Sequence, residues 1–220
     1  MPKAQAEGVV NSEVAVKAFD EYLSYLQYMP PVSQTGQMDI FVIQDLYMQG
    51  KVGAIIDWVG LGEPVLDPSA SKAHDKSAFG PAPGTRQADG SIDRTGNIGG
   101  QPFVLTTWND EAVVEEALNV VKWWLKSDTQ LEAVANGGQS GLMSVMADPS
   151  YNGLRPWNRA HVEMIDWQKD VWHIPEFFEL LTQQQEEFDR AITGQIGAKE
   201  ALDNVAEFQQ ELLEDGDYIE

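Results

Sequence analysis

The sequence predicts a mixed α/β fold that ends in an unusually helical tail. Three observations predict it. Short apolar runs bounded by glycine and proline occur at Val52–Ile56, in "SAFGPAPG" and in "GNIGGQPFVLTTW". Apolar residues recur at helical spacing in several long segments between and after them. The last third of the chain alternates loop and helix signals with no further strand pattern.

Taken in order, Asn11 or Ser12 is a candidate N-cap for a helix whose apolar residues are Val14, Ala18, Tyr22, Tyr25 and Leu26. Tyr28-Met29-Pro30-Pro31 stops it. A second helix is expected from Ile40 to Gln49, ending at Gly50. A buried strand over Val52–Ile56 then runs into Asp57-Trp58 and an opening turn with Gly60 and Gly62. Residues 63–75 read as loop with one helical turn, Ser77–Gly84 as a short strand, and Arg86–Asn97 as a hairpin. A glycine-flanked strand lies within 96–108. The helix after it is capped by Asn109 or Asp110, with acids in its first turn and Lys122 and Lys126 near its end, as the helix dipole favours. A shorter helix, Asp128–Asn136, leads to "NGGQSGL". Three helical stretches follow, with Gly194 as a C-cap.

Composition excludes several function classes. The chain has 220 residues, with Lys+Arg 14 against Asp+Glu 35, a formal net charge of −21. Such a surface repels nucleic acid and anionic membranes. Absence of cysteine excludes disulfides, thiolate zinc sites and cysteine nucleophiles. His74, His161 and His173 are isolated, so no zinc-ligand spacing arises, and "DPSASKAHD" lacks the acid spacing of an EF-hand loop. No GxSxG motif is present, and "GNIGG" is not a phosphate loop. No catalytic residue, metal or cofactor is expected. No apolar run approaches the ~20 residues of a membrane span, and the first residues carry no apolar signal-peptide core.

Several segments, in order, resemble one family. They are "VNSEVAVKAFDEYL", "FVIQDLYMQGKVGAIIDW", "FGPAPG", "GNIGGQPFVLTTWNDEAVVEEALNVVKWWLKSDTQLEAVANGG" and the tail "AKEALDNVAEFQQELL". The chain resembles the C-terminal half of a family 1 extracellular solute-binding protein, the sugar-binding component of an ABC importer. The resemblance implies the C-terminal lobe of a periplasmic-binding-protein type II, maltose-binding-protein-like fold, with a mixed sheet. It implies that residues 1–97 belong to that lobe. Residues 98–140 would supply a hinge strand and helices that pack on an N-terminal lobe, and 141–220 would return to the first lobe. It further implies a sugar or polyol ligand, an ABC permease as partner, and a periplasmic or extracellular location. A chain holding only this half would be a fragment, exposing the 98–140 face to self-association.

The candidate ligand residues follow from the same resemblance and from sugar chemistry. An indole stacks on the C–H face of a sugar, and a carboxylate accepts hydrogen bonds from two hydroxyls, which suits Trp58 and Asp57. Asn97, Gly100 and Gln101 would line the cleft at the hinge, where glycines let backbone N–H groups approach a ligand. Gln139 and Ser140 follow a helix end facing the cleft, and Trp157 sits in a polar Trp-Asn-Arg cluster. For each, packing or capping is the competing role; for Trp123-Trp124, packing is the favoured one. Two other functions compete: a helical interaction fragment with no ligand, and a carboxylate-based glycoside hydrolase, for which no pair of acids stands out.

Overall fold

The computed structural model describes residues 5–100 and 102–218. In chain order the helices are α1 (Glu13–Tyr25), α2 (Ile40–Met48) and α3 (Gly62–Leu66). Strands β1 (Thr85–Arg86), β2 (Ile92–Asp93) and β3 (Gly96–Asn97) follow. Then come α4 (Glu111–Trp124), α5 (Ser127–Ala135), α6 (Met143–Met146), α7 (Tyr151–Leu154) and α8 (Asn158–Met164). Strand β4 (Gln168–Lys169) precedes the long helices α9 (Phe177–Ile192) and α10 (Ala198–Asp215).

The helices form where local chemistry calls for them. Ser12 Oγ accepts from Ala15 N at 3.3 Å and starts α1. Asp39 Oδ1 accepts from both Phe41 N and Val42 N at the start of α2. Gly50 and Gly194, at φ +69° and +75°, end helical runs in the left-handed region that glycine enters without strain. The hairpin over 86–97 is present as an antiparallel β1–β2 pair, Thr85 opposite Asp93 and Arg86 opposite Ile92.

The strands need correction. Val52–Ile56 and Ser77–Gly84 form no strand, and the 96–108 run contributes only Gly96–Asn97 among the described residues. That pair bridges β4 in parallel, Gly96 to Gln168 and Asn97 to Lys169. An apolar run becomes a strand only when a neighbour accepts its hydrogen bonds, and none of the described segments does so for these two.

The chain divides into two compact units. The first comprises residues up to Ile43 and those from Trp172 on. Helices α9 and α10 fold back on each other through the Gly194 turn. The inward stripe of α10 is Ala198, Ala201, Leu202, Val205, Ala206, Gln209 and Leu213, a spacing of three and four. Helix α1 adds Phe19, whose ring lies 4.5 Å from that of Phe188. Glu187 accepts from Arg190 at 2.8 Å and from Asn204 at 2.6 Å, tying α9 to α10.

The second unit runs from Gln44 to Val171. Its core is Val134, Val145, Met146 and Tyr151, packed by Leu131, Leu142, Leu154 and Ile165. Tyr151 is buried, its hydroxyl 3.0 Å from His161 Nδ1, and its carbonyl accepts from Asn158 Nδ2 at 2.7 Å. Helix α4 is the exception in this unit: none of its 14 residues is buried. Val113, Val120 and Trp123 are each more than half exposed, as are Phe103, Val104 and Trp108 just before the helix.

Two predictions follow from this packing. Leu202→Ala empties a filled site and is expected to cost roughly 2–5 kcal/mol in urea unfolding, whereas Val113→Ala on bare α4 should stay within about 0.5 kcal/mol. Burial holds His161 below the ordinary imidazole pKa, so the folded state favours the neutral ring. Its stability contribution is therefore complete above about pH 6.5 and is lost as pH falls below that value. Unfolding midpoints of wild type and His161→Gln should converge toward acid pH; parallel midpoints from pH 7.5 to 5 would contradict this.

Candidate functional site

The predicted site residues fall into an exposed group and a buried group, both in the second unit. The exposed group begins at Asp57-Trp58. Asp57 Oδ1 accepts from the Trp58 backbone N–H at 2.7 Å. Partial desolvation raises the Asp57 carboxyl above the usual range, and that hydrogen bond pulls the other way. Trp58 is 48% exposed. Its indole lies directly over Gly99: a methyl group there would stand 2.9 Å from Cε2, Cζ2 and Nε1 of the ring. Asn97 in β3 and Gly100 just after it are also exposed. Positions 58 and 99 are thus brought together, an indole resting on one glycine. Gln101 lies outside the described residues.

The buried group is organised by α3. Trp58 caps a single 3-10 turn, Val59–Leu61, that runs into α3 at Gly62. Gln44 Nε2 donates to Leu61 O at 2.9 Å and fixes the junction. Trp157 is 3% exposed and lies across Gly62, where a Cβ would be 2.5 Å from Cε3. The Phe79 ring meets Trp157 edge-on at 5.4 Å. No face of Trp157 is therefore open to solvent, and its Nε1 has no hydrogen-bond partner among the described residues.

Gln139 and Ser140 leave the end of α5 just after Gly137. Ser140 is 2% exposed, and its Oγ accepts from Leu142 N at 3.1 Å, which makes it part of a turn. Gln139 is half-buried, with Nε2 lacking a partner among the described residues. Gly137, at φ +93°, has the Glu63 side chain pressed against it, where any Cβ would collide with Glu63 Cγ.

Glu63, Arg155 and Gln44 are the residues that sequence reasoning missed. Glu63 Oε1 lies 2.8 Å from Arg155 Nε as an ion pair; both atoms are buried, and neither has a hydrogen-bond partner among the described residues. The available signal was "GLGEP": two glycines beside an acid, where large side chains from elsewhere could pack closely. Among the described residues no group of three or more acids, histidines or cysteines is placed to hold a metal. None of the described helices is long and apolar enough to cross a membrane.

No family model matches the chain, and no curated protein matches it in sequence. Solved structures do match. The maltose-bound MalE3 of T. maritima superposes with a TM-score of 0.76 at 18% identity, covering 93% of this chain and 52% of that one. An ABC transporter solute-binding protein from Agrobacterium radiobacter K84, in complex with ribitol, superposes with a TM-score of 0.72 at 19% identity, covering 93% and 51%. The chain spans about half the length of these structures. Its fold is that of a part of a periplasmic-binding-protein type II protein.

The close approaches are testable. Gly62→Ala should cost roughly 1–3 kcal/mol, since it forces a methyl group into a buried indole. Gly99→Ala should cost far less, because the ring it displaces is half exposed. Thermal unfolding of the two variants side by side reads the contrast; equal losses would contradict it.

Proposed function

We propose that this chain takes part in solute binding for ABC-type import, with a sugar or polyol as the solute. One observation carries the reading: a half-exposed indole, Trp58, rests on Gly99 with the Asp57 carboxylate hydrogen-bonded to the Trp58 backbone. Its exposed surface offers a stacking face for C–H groups, and the neighbouring acid offers an acceptor for hydroxyls. Asp57, Trp58, Asn97 and Gly100 would form one wall of a cleft. Gln139, Ser140 and Trp157 would back that wall through the Gly62 and Gly137 contacts rather than touch the solute. The mechanism would be closure of a second wall over the solute, with no bond made or broken. The maltose and ribitol held by the two structural neighbours support this class of ligand. A periplasmic or extracellular location and a permease partner belong to the same reading.

A second observation favours a protein–protein role for another face. The 103–125 region carries Phe103, Val104 and Trp108 exposed just before α4, and Val113, Val120 and Trp123 exposed on α4, a helix with no buried residue. Apolar surface of this kind marks contact sites. We infer that residues 98–140 pack against a second lobe, with self-association as the outcome when no lobe is supplied.

Two experiments test these readings. Maltose and ribitol are expected to bind the chain with a Kd no tighter than about 1 mM, and to perturb the Trp58 indole signal. Micromolar affinity in calorimetry would contradict the one-wall reading. An unmoved Trp58 signal at saturating sugar would contradict the solute reading. In sedimentation, the wild type should show concentration-dependent association that Trp123→Glu reduces; a strict monomer at all concentrations would remove the self-association reading.

A further inference from the structure

We propose that Glu63 is a positioning residue: its side chain, held between Arg155 and Gly137, fixes the Trp58–Leu66 turn so that the Trp58 indole rests on Gly99. The use made of that indole rests on the solute-binding reading; the seating itself needs no ligand.

The turn has little apolar anchoring near Trp58. Val59, Gly60 and Leu61 are not buried; only Gly62 and Val65 further on are. What fixes it are one hydrogen bond, one ion pair and one close approach. Gln44 holds the Leu61 carbonyl at 2.9 Å. Glu63 Oε1 meets Arg155 Nε at 2.8 Å, and the Glu63 side chain is pressed against Gly137 where no Cβ fits. Arg155 comes from the link between α7 and α8, and Gly137 from the end of α5. One side chain therefore ties three separate parts of the unit at a point five residues after Trp58.

A charge at such a place is a poor choice for packing alone. A half-buried carboxylate loses hydration that only a paired cation restores. Removing one partner leaves the other uncompensated, so the pair has one favourable arrangement and resists sliding of the turn. An apolar residue would fill the space without fixing the register in this way.

The test uses the full chain labelled with 5-fluorotryptophan, the Trp58 resonance being assigned by its loss in Trp58→Phe. In wild type this resonance should be offset from that of free fluorotryptophan by its contact with Gly99. Glu63→Gln should remove most of that offset, and so should Gly137→Ala, which crowds Glu63 with both charges intact. Arg155→Lys keeps the charge and changes the geometry; it should give a partial loss and carries the test if Glu63→Gln does not fold. Val145→Ala, a core truncation in the same unit, should lower Tm and leave the Trp58 resonance in place. An unmoved Trp58 resonance in Glu63→Gln or Arg155→Lys would overturn the proposal, and so would an equal displacement in Val145→Ala. Wild-type protein that seats Trp58 as described yet ignores maltose and ribitol would sink the solute reading and leave this one standing.

Discussion

The close approach of side chains to two glycines, Gly62 and Gly137, is the constraint on which the arrangement around the site depends. Through Gly62 a whole indole, Trp157, packs against the backbone of α3; through Gly137 the side chain of Glu63, which α3 itself supplies, packs against the backbone just after α5. Neither contact leaves room for a Cβ, so α3 approaches Trp157 through one glycine and the end of α5 through the other. Trp58 sits at the head of the same short segment. Its exposed ring and the buried Trp157 ring thus belong to one continuous mechanical unit.

That arrangement separates two roles that residue type alone would merge. Trp58 and Trp157 are both tryptophans near polar neighbours, and both carry sugar-binding potential by chemistry. Burial divides them: one presents nearly half its surface, the other 3%. A stacking platform needs an open face, while its support needs none.

The helices were legible because their signals are local. Ser12, Asp39, Gly50 and Gly194 act within four residues of themselves, and the Ala201–Val205–Leu213 stripe of α10 repeats at the helical period. Strands were overcalled because pairing is not local: Val52–Ile56 has the composition of a strand but no described partner. The resemblance implied one groove for positions 57–58 and 97–101; the contact the structure describes between these stretches is Trp58 on Gly99, a tertiary approach with no local signal. The Glu63–Arg155 pair was illegible, since nothing in either sequence neighbourhood names the other. Likewise, no composition rule distinguishes the glycine beneath Trp157 from one in an ordinary turn.

The first unit is assembled from two pieces of chain separated by the whole of the second. Its α9–α10 hairpin needs only a short turn to close, while α1 must find the same core across roughly 170 intervening residues. Closing so long a loop carries an entropic cost that grows as the logarithm of its length, about 0.6 kcal/mol per doubling. During vectorial synthesis α1 is made well before the α9–α10 hairpin, so the Phe19 face waits for its covering partners Phe188, Ala191 and Leu202 until the whole of the second unit has been translated.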